Sequence, residues 1–166
     1  MKFFNTLGRC VQDFEPINPA NVGMYTCGPT VYNFAHIGNF RAYLFEDVLK
    51  RTLEYHGFKV TQVMNLTDVD DKTIRDSRAK NEPLREFTAV YKKAFFEDLD
   101  KLRIERAAVY PEATTHIPEM IQLIQTLIDK GYAYQAPDKW IYFSISKFRP
   151  YGRLARIDME NQRAGV

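Results

Sequence analysis

The 166 residues are 45% hydrophobic and 27% charged, with a formal net charge of +2. This length supports one domain with a real core, or a domain plus a small insertion, and the near-balanced charge neither demands nor excludes a nucleic-acid partner. No apolar run reaches the roughly 18 residues of a membrane span. The N-terminal MKFFNTLGRC lacks a signal-peptide core, and Cys10 and Cys27 are too few for a disulfide scaffold, so a cytoplasmic location is the default.

In chain order, Val22 to Thr26 reads as a short strand. A turn-rich connection follows, in which Cys27-Gly28-Pro29 precedes His36-Ile37-Gly38-Asn39. From Arg41 to His56 the periodicity predicts a helix, with Leu44, Phe45, Val48, Leu49 and Leu53 on its core face and Gly57 as its stop. Phe58 to Thr67, FKVTQVMNLT, reads as a buried strand. Residues 22–67 therefore form a βαβ unit, whose strands are expected to be parallel. VDDKTIRDSRAK predicts a short polar helix. A long helix is expected from Pro83, with Leu84, Phe87, Val90, Tyr91, Phe95, Leu99 and Leu102 as its apolar stripe. AAVYPEATTH reads as a loop. A further helix presents Ile117, Met120, Ile121, Ile124, Leu127 and Ile128 and ends at Gly131, and YAYQAPDKWIYF reads as a hairpin around Ala136-Pro137-Asp138. Beyond Ser144 no core pattern remains.

The loop after the first strand of a βαβ unit is where open α/β sheets bind ligands. Gly28 and Gly38 allow close backbone approach, and Pro29 stiffens the turn. A helix starting near Gly38 or Asn39 offers free amides to an anion, and Asn39 could cap it. His36 can donate to a phosphate oxygen. Arg41 in the first turn opposes the helix dipole, a conflict that a bound anion would remove. Taken singly, each piece has a plainer reading: Gly-Pro marks turns, a lone histidine is usually structural, and a buried cysteine is a small hydrophobe.

Their order resembles the class I aminoacyl-tRNA synthetases. His36-Ile37-Gly38-Asn39 is similar to the HIGH signature, and YTCGPTVYNFAHIGNFRAYLFEDVL, VMNLTDVDDKTI and PEATTHIPEMIQLIQTLIDKGYAY resemble the cysteinyl-tRNA synthetase family. The resemblance runs from FNTLGR to YGRL. It implies an α/β fold: the first half of a Rossmann-like (HUP-type) parallel-sheet nucleotide-binding domain over 1–105, then part of an α+β connective insertion over 106–166, incomplete at its C-terminus. It also implies cysteine activation by ATP with magnesium, and transfer of cysteine to tRNA(Cys). Thr30, His36, Gly38 and Asn39 match ATP-binding positions, with His36 and Asn39 catalytic. Cys27, Gly28 and Thr67 match amino-acid-binding positions, and Cys27 matches the first zinc ligand. A monomer without a membrane partner is expected.

Several features depart from the family pattern. Asn39 replaces the second histidine of HIGH, and Thr115-His116 stands where two histidines are common. The 166 residues contain no KMSKS-like loop, no later zinc ligands and no anticodon-binding domain, so the resemblance implies the first third of an enzyme, with little or no aminoacylation by this chain alone. Two alternatives are a cysteine ligase of mycothiol synthesis, from the same superfamily, and a non-catalytic fragment that binds nucleotide, metal or RNA. Asp68, Asp70 and Asp71 read as acids at a helix N-terminus rather than a magnesium site. Trp140 and the hairpin tyrosines read as core rather than RNA-stacking residues. Lys147 to Arg156 reads as a solvated face or a phosphate contact.

Overall fold

The structure is a computed structural model that describes residues 1–157, so positions 158–166 of the expected insertion lie outside the described residues. The chain forms two compact units, Pro16–Ile117 and a second made of Met1–Glu15 with the residues from Pro118 onward.

The first unit is built on the predicted βαβ element. Val22–Thr26 is a strand of alternating buried and exposed residues, β3, after a hairpin of β1 (Lys2–Asn5) and β2 (Cys10–Asp13) that belongs to the other unit. Helix α1 (Ile37–Tyr55) connects β3 to β4 (Val60–Met64). The two strands pair in parallel, with Val22 opposite Val60 and Thr26 opposite Met64. Pairing continues past the strand ends, where Val31 N donates to the Thr67 carbonyl at 3.1 Å and Thr67 N to the Pro29 carbonyl at 3.0 Å. These bonds hold the outgoing loop of β3 against the end of β4. AAVYPEATTH, expected to be a loop, instead runs parallel along the other edge of β4, through Met64 N to the Val109 carbonyl at 3.0 Å and Leu66 N to the Pro111 carbonyl at 2.8 Å. Pro111 has no amide to donate and breaks any regular strand pattern, which hid this segment. The sequence boundary expected at 105/106 thus falls inside this unit.

Two further helices, α2 (Asp71–Ala79) and α3 (Leu84–Lys101), follow β4. The core joins Tyr43 of α1, Met64 and Leu66 of the β4 segment, Phe95 and Leu99 of α3, and Ile104 and Ala107 beyond it. Leu66, Phe87 and Leu99 are fully buried, each worth about 1.5–3 kcal/mol of apolar transfer. Phe87, Phe95 and Leu99 keep their predicted inward placement, whereas Val90 and Leu102 are exposed.

Helix α1 departs most from expectation. Of its predicted core face only Leu53 is buried, and Leu44, Phe45 and Val48 are 48%, 68% and 55% exposed. Its inward residues are Tyr43, Asp47 and Leu53. Asp47 accepts from Arg51 Nε at 2.8 Å and from Glu105 N at 2.9 Å, while Lys50 Nζ reaches Glu105 Oε2 at 2.9 Å. Hydrogen-bonded partners lower the cost of burying the carboxylate enough for a polar face to turn inward. Periodicity alone ranks the apolar face first and cannot see those partners.

In the second unit, α4 (Ile117–Asp129) leads to the predicted hairpin of β5 (Ala133–Gln135) and β6 (Ile141–Phe143). None of the α4 residues is buried, and Trp140 is 64% exposed rather than a core residue. Among the described residues no helix is long and apolar enough to cross a membrane.

Candidate functional site

At the carboxyl ends of β3 and β4 lies a cleft of about 330 Å³, lined by Gly28, Pro29, Thr30, Tyr32, Asn33, Phe34, Ala35, His36, Asn39, Tyr43 and Lys72. All of these residues belong to the first unit. The volume falls in the range of small-ligand sites.

One wall is the start of α1. The N-cap is His36, not Asn39, and its backbone is extended (φ −101°, ψ 171°). His36 Nδ1 accepts from Gly38 N at 3.0 Å, and Asn39 Oδ1 accepts from His36 N at 3.1 Å. This is a capping box in which an imidazole replaces the usual hydroxyl. Two consequences follow for the side chains. The His36 ring accepts at Nδ1, so the neutral ring carries its proton on Nε2 and can donate there. Asn39 spends its oxygen on the cap, which leaves its amide Nδ2 to donate.

Gly38 makes that arrangement possible. A Cβ at this position would lie 2.7 Å from His36 Cε1 and 3.0 Å from its Nδ1. Gly38→Ala is therefore expected to displace the ring while leaving stability within about 1 kcal/mol, because the better helix propensity of alanine offsets the weakened cap. Denaturation midpoints together with the His36 ring ¹⁵N shifts check this. An unchanged Nε2–H tautomer in the variant contradicts it.

Behind the cleft lining, Asn65, which the sequence reading missed, anchors the loop that carries Gly28. Its Oδ1 accepts from Gly28 N at 3.2 Å and from the Tyr25 hydroxyl at 3.1 Å, and its Nδ2 donates to Thr67 Oγ1 at 3.1 Å. One amide thus ties the loop after β3 to the end of β4. The signal was a polar residue interrupting an apolar run, but its partner lies 37 residues away. Gly28 is needed for the same contact, since a Cβ there would overlap the Asn65 carbonyl oxygen and lie 2.9 Å from Met64 Cγ.

Of the sequence-predicted residues, Gly28, Thr30, His36 and Asn39 line the cleft. Gly38 supports it from the helix. Thr67 adjoins it through its parallel bridge with Thr30. Cys27 is exposed and not among the lining residues, but its charge bears on the Tyr43 phenol, which is. Burial first, then the charges of Glu46 and Cys27, push Tyr43 up to about 12, so it stays a neutral donor. Burial also raises Glu46, against a hydrogen bond with Thr26 that lowers it. Arg41 is not part of the cleft and lies on the opposite flank of the helix start with Ile37, Phe40, Leu44 and Leu102. The lysine that does line it, Lys72, was also missed. Among the described residues no three His, Cys, Asp or Glu side chains converge, so these residues alone do not fit a zinc centre. Of the acidic cluster, Asp70 caps α2 as expected, whereas Asp68 is buried and paired with Lys92 at 2.8 Å.

A sequence profile of tRNA synthetases class I (C) catalytic domain matches residues 13–166. The chain is 52% identical over its full length to a cysteine–tRNA ligase of Protochlamydia amoebophila, of which it covers 35%. It is 54% identical over 164 residues to the cysteine–tRNA ligase of Brachyspira hyodysenteriae, covering 34% of that protein. It therefore spans about a third of the length of the curated relatives it matches. A solved ternary complex of Agrobacterium radiobacter K84 LeuRS, tRNA and LeuAMS aligns with 74% of this chain and 16% of its own at TM-score 0.60 and 20% identity, a likeness of fold.

Proposed function

Because the chain belongs to the family of class I (C) tRNA synthetase catalytic domains, we propose that it is the N-terminal catalytic portion of a cysteine–tRNA ligase. The whole enzyme would activate L-cysteine with magnesium-bound ATP to cysteinyl-adenylate and transfer it to tRNA(Cys). The observation that carries this reading is the convergence of Gly28, Thr30, His36 and Asn39 on one cleft at the strand ends.

In the activation step the cysteine carboxylate attacks the α-phosphate and pyrophosphate leaves, so no side-chain nucleophile is required. His36 Nε2–H, Asn39 Nδ2 and the Thr30 hydroxyl donate to phosphate oxygens, where charge builds up. The Asn65 network holds Gly28 and Thr67 as the amino-acid side of the site. Cys27 supplies one zinc ligand, the others coming from outside these residues; when bound, zinc would select the substrate thiolate. A monomer in the cytoplasm belongs to the same reading, and a reducing compartment would suit the two free thiols. Residues 1–105 serve as the first half of the nucleotide-binding domain and 106–166 as part of the connective insertion. The exposed Leu44, Phe45 and Val48 then form the face that the rest of the catalytic fold covers.

The test is a chimera in which this chain replaces the matching third of the Protochlamydia amoebophila relative. Cysteine-dependent ATP–pyrophosphate exchange is expected, falling about 10²–10³-fold in His36→Ala. The 166-residue chain alone should stay near background. A folded chimera that exchanges without cysteine, or not at all, overturns the reading.

A further inference from the structure

Lys72 stands in the first turn of α2, where a cation opposes the helix dipole. Its ammonium lies 5.1 Å from the centre of the Tyr32 ring, and both side chains line the cleft. Lys50, Lys92 and Lys101 all meet carboxylates at 2.8–2.9 Å, whereas Lys72 forms no salt bridge among the described residues. No other lysine or arginine among the described residues lines the cleft. The groups around it on the same cleft are donors: His36 through Nε2, Asn39 through Nδ2, and the neutral Tyr43 hydroxyl. Lys72 acts on Asp76 of the same helix through its charge, without a salt bridge, and an ammonium on the same cleft as several donors suits an anion with more than one acceptor oxygen.

We propose that Lys72, steadied over Tyr32, binds the phosphate chain of the nucleotide across the cleft from His36. This inference rests on the synthetase reading and adds to it a phosphate-binding residue on α2, supplied after β4 rather than by the loop that follows β3. An ammonium suits this task as a mobile point charge that can follow the leaving pyrophosphate. The same chemistry could serve a phosphodiester of the tRNA end, and the assay separates the two.

In the chimera, Lys72→Gln is expected to raise KM for ATP in pyrophosphate exchange about tenfold, the effect of losing one charge-assisted contact at an exposed site. KM for cysteine should hold, and Lys72→Arg should recover most of the loss. In the 166-residue chain, Lys72→Gln should weaken binding of inorganic tripolyphosphate and leave the denaturation midpoint unchanged. An unaltered KM for ATP in an active chimera overturns this inference alone. A loss confined to tRNA charging, with exchange intact, also overturns it and assigns Lys72 to the RNA. A folded chimera without exchange overturns the synthetase reading itself, and this inference with it.

Discussion

Gly28→Ala should cost the chain about 3 kcal/mol or more of stability, read as a lower urea or thermal midpoint. The added methyl would overlap the Asn65 backbone oxygen, which cannot move without dragging β4 and its pairing with residues 108–113. Rotamer changes relieve the second clash, with Met64 Cγ, but not the first. The alternative relaxation lifts the loop after β3 away from β4, which breaks the bonds between Thr67 N and the Pro29 carbonyl and between Gly28 N and Asn65 Oδ1. Either route disturbs the cleft. A variant within about 0.5 kcal/mol of the unsubstituted chain, the usual scale of a surface change, would mean that the two segments do not approach this closely.

A loss of about 3 kcal/mol is likewise expected from Lys92→Met. Asp68 is 2% exposed, and its carboxylate accepts from Lys92 Nζ at 2.8 Å, Thr114 Oγ1 at 2.7 Å and Thr114 N at 2.9 Å. Lys92 also reaches Glu112 at 2.9 Å, so one ammonium clamps α3 to the β4 end and to the segment beside it. Removing it leaves a buried charge without its counter-ion, and this penalty exceeds the net worth of the pair. The double variant Asp68→Asn with Lys92→Met should recover much of the loss. A single variant that loses less than about 1 kcal/mol, as an exposed pair would, contradicts this account.

The same carboxylate gives the stability a pH dependence. Burial alone would raise the Asp68 value, but the hydrogen bonds from Lys92 and Thr114 outweigh it and hold the carboxyl below the usual range. A group depressed in the folded state stabilises fully above its unfolded value near 3.9 and loses that contribution as pH falls through the folded value. Asp68→Asn should therefore flatten the acid limb of the stability profile below about pH 4 and leave its shape at neutral pH unchanged.

Much of the first unit was legible because its signals are local. The apolar runs matched the span of β3 and located β4, which is shorter at both ends than the expected 58–67, and the turn residues marked the loop between β3 and α1. The HIGH-like tetrapeptide marked the helix start to within a residue or two. In the two largest errors a group far along the chain took part in the outcome. Leu44, Phe45 and Val48 looked like the buried face of α1, but Asp47 turned inward to meet Arg51 and the amide of Glu105. Arg41 looked like the cation of the anion site, but the helix start directs it to the opposite flank, and Lys72 arrives from another helix.

Residue types and their spacing along the chain determined the βαβ order and the place of the loop after β3, and the resemblance of several motifs in order pointed to the family. They could do so because periodicity, turn chemistry and motif order are written in short stretches of neighbouring residues. Only the tertiary structure decided that His36 caps its own helix through Nδ1, that Asn65 joins two loop ends, and that Lys72 lines the cleft. Those outcomes depend on hydrogen bonds and close approaches between segments brought together by parallel strand pairing, and no local pattern encodes which side chains will meet there.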